Sequence, residues 1–112
     1  FDHTKFTLNI NNNTVKINAP TYGTEFNIDD IEEISMINKL PSGIRTNGVG
    51  ASTYNLGNFS IKDYGQSKLY VYFENPNCIS IKLKNNTYIF FNSKSNEETL
   101  KYYNELKNVL GK

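Results

Sequence analysis

The sequence predicts a mainly β domain, an antiparallel barrel of about seven strands capped by one C-terminal helix. Eight Tyr and seven Phe, with many Ile and Val in short runs, are residue types that favour pleated sheet. Short segments of alternating polar and apolar residues follow one another at regular spacing, separated by turn residues. Near the C-terminus the apolar spacing changes to a helical period, which indicates one amphipathic helix.

The first two strands are predicted to form a hairpin. Residues 3–10 and 14–19 both alternate, and Asn11 to Asn13 between them suit a turn because Asn tolerates left-handed backbone. After an interruption at Pro20 and Gly23, residues 26–31 lead into a third strand at residues 32–37. The spacing of two isoleucines there would also suit one helical turn.

The middle of the chain is the least regular part. Residues 38–53 contain one proline and three glycines but few large apolar side chains, so they are predicted to be the longest loop. Four more strands are predicted after it, at residues 54–62, 68–74, 78–84 and 87–92.

The last element is a helix with a recognisable start and stop. Ser95 and Glu98 have the spacing of a capping box, in which each side chain bonds a free backbone N–H at the helix start. Gly111 is a typical stop signal. The residues predicted to lie on the apolar face, against the sheet, are Leu100, Tyr103, Leu106 and Leu110.

The composition and length of the chain limit the classes of function that it can have. Acidic and basic residues nearly balance, with a net charge of +1, so no strong field attracts nucleic acid or an anionic membrane. One cysteine cannot form an intramolecular disulfide. No apolar run approaches the ~20 residues that span a bilayer. The 112 residues suit one domain, and the start at Phe1 without Met suggests a piece of a longer protein.

Several short motifs resemble those of a known protein family. They are Asp30-Ile31-Glu32-Glu33-Ile34 before the glycine-punctuated loop, Arg45-Thr46-Asn47-Gly48, Gly57-Asn58-Phe59, and Tyr70. Together with the order of hairpin, further strands and terminal helix, they make the chain resemble the bacterial PH domain families of membrane-associated proteins. The resemblance implies a PH-like barrel, itself soluble, that is membrane-associated through a transmembrane segment elsewhere in its parent protein.

The best binding candidates lie in the predicted long loop. Arg45 is the sole arginine, and its planar guanidinium can hold a carboxylate or phosphate by two hydrogen bonds. Asn47 and Gly48 follow it closely. The alternative is structural: Arg45 would pair with Asp30 or Glu33 and fix the loop, and Asn47-Gly48 would be a tight turn.

Elsewhere the sequence gives little indication of a binding site for an anionic ligand. Eukaryotic PH domains usually hold phosphoinositides with several basic residues around the first hairpin turn, but residues 11–14 contain none. Phosphoinositide binding is therefore not expected. Lys82 and Lys84 point outward from one strand, which suits either solvated lysines at a sheet edge or a weak site for an anionic partner.

No catalytic group, cofactor site or metal site is predicted. Four acidic residues, Asp29, Asp30, Glu32 and Glu33, alternate between strand faces and cannot converge on a cation. Cys78 is expected to be a buried small hydrophobe and His3 a surface residue near the chain end. An enzyme would need these two residues together in a polar pocket.

The leading functional prediction is a non-enzymatic binding module of a bacterial membrane-associated protein. It would bind a protein partner, a segment of its parent protein or a small ligand, through residues 38–53 and nearby strand edges. Pairing of an edge strand with an extended peptide is the natural mode for such a scaffold. The alternative is a structural spacer or self-association domain without a ligand.

Overall fold

The structure is a computed structural model, and it describes residues 5–111. Within that range, nine strands, a 3-10 turn and one helix follow one another. Their bounds are β1 (Thr7–Asn11), β2 (Thr14–Asn18), β3 (Thr24–Asn27), the 3-10 turn (Ile28–Asp30), β4 (Ile31–Ile37), β5 (Gly43–Gly50), β6 (Tyr54–Ile61), β7 (Gly65–Tyr72), β8 (Cys78–Leu83), β9 (Tyr88–Phe91) and α1 (Asn96–Val109).

The first three strands form a small antiparallel sheet in chain order. The predicted hairpin of β1 and β2 is confirmed, and its turn places Asn12 in the left-handed region, with φ 55°. The segment expected to lead directly into the third strand instead forms β3 and a 3-10 turn. The side chain of Asn27 caps that turn by accepting from the Asp29 N–H.

The other six strands form a second sheet in the order β4-β8-β9-β7-β6-β5. Every neighbouring pair is antiparallel except β7 and β9, which are parallel because the β8-β9 hairpin inserts between β4 and β7. The mainly β class with one C-terminal helix is confirmed. Residues 5–111 form nine strands rather than about seven, and their two sheets do not form a closed barrel.

The prediction of one continuous loop over residues 38–53 is wrong, because β5 lies within it. β5 is exposed along most of its length, so it carries no run of large buried side chains from which a strand could be predicted. Its conformation is fixed instead by backbone pairing with β6.

The connection between β4 and β5 requires the large sheet to curve. These strands are the two edges of the sheet, yet only residues 38–42 join them. The six Cα steps from Ile37 to Gly43 reach at most about 22 Å, whereas five strand spacings in a flat sheet span about 24 Å. The edges must therefore approach each other, and the connection crosses one face of the sheet.

The main core lies between the small sheet, one face of the large sheet and the helix. Phe6 stacks on Tyr72 with ring centroids 4.4 Å apart, and Leu106 brings the helix into this core. The predicted cap is confirmed, since Ser95 accepts from the Glu98 N–H. The Glu98 carboxylate, however, accepts from the Ser93 hydroxyl. Leu100, predicted on the apolar face, is exposed.

A second apolar cluster covers the opposite face of the large sheet, which we call the outer face. Its buried members are Phe59, Ile61, Leu69, Val71, Cys78 and Phe90. Leu40 from the β4-β5 connection and two tyrosines, Tyr64 and Tyr88, pack over it. Apolar side chains thus occupy both faces of the central strands.

Candidate interaction site

The strand β5 is an edge with one unpaired side. Within residues 5–111 it pairs with β6 alone. Two of its apolar side chains, Ile44 and Val49, are 74% and 39% exposed. An exposed edge offers free N–H and C=O groups to another strand, and natural proteins usually protect such edges with charge, proline or distortion. In β5 one arginine and one bulge are present, together with exposed apolar side chains.

The bulge adds one residue to β5. Arg45 lies opposite Phe59 and Asn47 opposite Asn58, so Thr46 has no partner of its own. Bulges bend a strand and redirect its side chains. Here the bulge separates β5 into two regular halves, residues 43–45 and 47–50.

Two facing glycines allow the strands to approach closely beside the bulge. Gly48 pairs with Gly57, whose φ of +112° is outside the range of most side chains. A Cβ on Gly57 would stand 2.7 Å from the Gly48 Cα, and one on Gly48 would collide with the Leu56 carbonyl oxygen. The sequence prediction of a tight turn at Asn47-Gly48 is therefore wrong, because both residues lie within β5.

Two hydrogen bonds at the ends of β5 show which of its backbone N–H and C=O groups point away from β6. Lys62 N–H donates to the Ser42 carbonyl, and Ala51 N–H donates to the Tyr54 carbonyl. Antiparallel pairs alternate between hydrogen-bonded and non-hydrogen-bonded, so counting inward from these ends identifies the non-bonded positions. The residues whose N–H and C=O groups point away from β6 are Gly43, Arg45, Gly48 and Gly50.

Arg45 is free of the ion pair that the structural alternative required. Its cross-strand partner Phe59 belongs to the outer cluster, so Arg45 projects from the outer face, with its Nη1 over Gly50. Glu33 lies in β4 at the opposite edge of the sheet, and Asp30 ends the 3-10 turn before it. Among residues 5–111 the ion pairs join Lys5 to Glu98 and Lys82 to Glu32, and neither includes Arg45.

Asn47 projects from the other face and is held by the turn after β2. Its Oδ1 accepts from the Tyr22 hydroxyl at 3.4 Å. The backbone carbonyl of Tyr22 in turn accepts from the buried Tyr70 hydroxyl at 2.5 Å. Asn47 is therefore tied to the body of the protein, whereas Arg45 is available to solvent.

An apolar groove lies on the outer face beside the first half of β5. Its volume is about 290 Å³. The floor includes Phe59, Leu69 and Val71, and Phe73 forms part of the wall. Among its described lining residues Lys39 is the only charged one. Since Gly43 and Gly50 place no side chain on this face, a side chain from beyond β5 can reach the groove.

The other residues that the sequence suggested as candidates for a site have different roles in the structure. Lys82 was expected at a sheet edge, but β8 lies between β4 and β9. Its ammonium bonds Glu32 at 3.0 Å, which raises the pKa of Lys82 by hydrogen bonding and charge. Cys78 is buried, and burial raises the pKa of its thiol to about 12, so it is a poor nucleophile. His3 lies outside the described residues.

The sequence singled out Arg45 by its residue type, but it did not reveal the exposed edge strand that makes Arg45 accessible. The groove residues come from β6, β7 and the 38–42 connection, and nothing in their local pattern assigns them to one face. The missed signal is the continuous apolar run at residues 69–72, which is typical of a strand buried on both faces.

The chain matches a known protein family. A family model described as "Bacterial PH domain" matches residues 6–106, which include all nine strands and most of the helix. No curated protein and no solved structure matches the chain. No helix in the described part of the chain is long and apolar enough to cross a membrane.

Proposed function

Because the chain belongs to the bacterial PH domain family, whose fold generally serves non-catalytic binding, we propose that it is a non-enzymatic protein-interaction module. The observation that carries the proposal is the unpaired edge of β5 with Ile44 74% exposed. A strand from another polypeptide would pair with the outward backbone groups of β5. Main-chain hydrogen bonds would supply affinity, and side-chain contacts would supply selectivity.

The groove and Arg45 are proposed to select the partner strand. Alternate side chains of a strand laid along β5 would project onto the outer face, where the groove accepts an apolar side chain. Arg45 on the same face would bind a carboxylate of the partner. Gly48 would contribute backbone groups, and Asn47 would hold β5 in place through Tyr22.

Selection from a random-peptide library on the immobilised protein tests this function. We expect extended, β-prone peptides whose binding slows amide hydrogen exchange at β5. The substitution Ile44→Lys should weaken them at least about tenfold, because lysine protects strand edges. Leu100→Lys, at an exposed apolar site on the helix, is the matched control. Peptides that bind Ile44→Lys as tightly as the unmodified protein would place the interaction elsewhere.

Arg45→Ala separates the role of charge from that of the edge. Since Arg45 has no ion pair among residues 5–111, the free energy of unfolding should change by less than about 0.5 kcal/mol. Peptides with Asp or Glu should bind this variant more weakly, while neutral peptides bind it equally. Equal affinity for both peptide classes would remove Arg45 from the site.

The proposal also assigns the module to a membrane-associated bacterial protein, as the sequence resemblance implies. The partner strand would then come from another protein or from another segment of the parent chain. Fractionation of the source cells with an antibody against this domain tests the assignment. Recovery of the antigen in the soluble fraction alone would contradict it.

A further inference from the structure

We infer that the strand that fits β5 is the β5 strand of a second copy of this chain, paired antiparallel about a two-fold axis between residues 46 and 47. This inference rests on the proposed function, since it uses the same edge, and it names one partner strand. That strand carries only Gly43, Arg45, Gly48 and Gly50 on the outer face, so it uses the edge alone and leaves the groove and the carboxylate contact to other partners.

The outward groups of β5 are irregularly spaced. They belong to Gly43, Arg45, Gly48 and Gly50, so the steps between them are two, three and two residues, with the bulge in the middle step. A regular strand presents such groups at every second residue. It can therefore match residues 43 and 45, or residues 48 and 50, but not all four together.

The two-three-two spacing reads the same in both directions. An antiparallel second copy consequently presents the same irregularity at the same place. Gly43 then pairs with Gly50 of the second copy, and Arg45 pairs with its Gly48, and the symmetry repeats both pairs. All four outward positions of each strand find partners, and the two bulges lie opposite each other.

The same register matches the exposed apolar side chains. Ile44 falls opposite Val49 of the second copy, and Val49 falls opposite its Ile44. Both side chains project from the same face, since their β6 partners are Ser60 and Leu56, an even number of residues apart. They occupy non-hydrogen-bonded pairs, in which Cα atoms are only about 4.5 Å apart and side chains pack closely. The pairing covers two of the exposed large apolar residues of the described chain.

Charge does not oppose the arrangement. Arg45 is the only charged residue of β5 and lies opposite a glycine of the second copy, which leaves space for the guanidinium. No like charges stand directly opposite each other, the placement that destabilises strand pairs. One strand per copy is a small interface, so we expect a dissociation constant in the micromolar to submillimolar range.

Sedimentation equilibrium over a range of protein concentrations tests the dimer. We expect reversible dimerisation that Ile44→Lys and Val49→Lys each weaken at least about tenfold, because each substitution removes both apolar pairs. Ile44→Thr, which keeps a high β propensity, should weaken it less and covers the case in which lysine disturbs the hairpin. Leu100→Lys should have no effect; equal weakening by this control would overturn the inference.

Disulfide formation tests the register. In a Cys78→Ala background, Ile44→Cys protein mixed with Val49→Cys protein should form a mixed crosslinked dimer under mild oxidation. Ile44→Cys protein alone should not crosslink, because the two copies of residue 44 are five residues out of register. Crosslinking of Ile44→Cys alone, without the mixed product, would overturn the proposed register.

The peptide experiment separates this inference from the function on which it rests. If the protein remains monomeric up to about 1 mM while selected peptides still protect β5, the second copy is not the partner and the edge keeps its proposed role. If the protein is monomeric and no peptide protects β5, both proposals fail.

Discussion

Asn92 joins three backbone segments through one buried amide. Its Oδ1 accepts from the Tyr72 N–H at 2.7 Å, and its Nδ2 donates to the carbonyls of Tyr72, Asn75 and Asn77 at 2.9 to 3.1 Å. The side chain is fully buried, so loss of the amide removes a hydrogen bond from each of these backbone groups at a place away from water. Local pattern does not reveal this role, since an Asn at a strand end resembles a turn residue.

We expect Asn92→Leu, which keeps the side-chain size, to lower the free energy of unfolding by about 2 to 4 kcal/mol. Asn104→Leu, at an exposed position of the helix, is the control and should change it by less than about 0.5 kcal/mol. Urea denaturation followed by circular dichroism measures both. Equal destabilisation would mean that the Asn92 hydrogen bonds contribute no more than a surface polar group.

At the scale of the element, the β5-β6 hairpin depends on two facing glycines. Gly48→Ala should destabilise the protein by about 1 to 3 kcal/mol, because the new Cβ would meet backbone of β6 that has no room to move. Gly50→Ala is the matched control two residues along, where the nearest atom is the mobile Arg45 guanidinium. We expect a change within about 0.5 kcal/mol there. Thermal unfolding compares the two, and equal melting temperatures would refute the close approach.

The elements that were predicted from sequence are those with a local signal. Alternation indicated β1 and β2, and the cap at Ser95 located the start of the helix. β5 gave no such signal because its partner, and not its own side chains, fixes its conformation. Local sequence reveals the candidate site only in part for the same reason. Arg45 was identified by residue type, whereas the edge, the bulge and the groove exist only after β5 pairs with β6.

At the scale of the whole molecule, two apolar clusters lie on opposite faces of one sheet. The consecutive buried residues of β7 and β8 supply both clusters, and in β7 they form the continuous apolar run at residues 69–72. The small sheet and the helix cover one face, and the short 38–42 connection covers part of the other. The outer face is therefore covered less completely than the opposite face, and the groove opens beside the 38–42 connection.

Each cluster contains a buried group that resists losing its proton. Burial raises the pKa of Tyr70, in the main core, to about 12 from an ordinary value of 10.0. It raises the pKa of Cys78, in the outer cluster, to about 12 from 9.0. Above these ordinary values the unfolded chain releases protons that the folded chain keeps. Stability contributed by both groups is therefore complete below about pH 9 and is lost as the pH rises toward 12.

We expect the free energy of unfolding to fall from pH 8 to pH 10, with Cys78 responsible for about 1.4 kcal/mol of the loss. Cys78→Ala removes this part, so the stability difference between the unmodified protein and the variant should shrink by that amount over the interval. Urea denaturation at several pH values measures it. A difference that stays constant from pH 8 to pH 10 would mean that the Cys78 thiol ionises equally readily in both states, and that the outer cluster admits water to its centre.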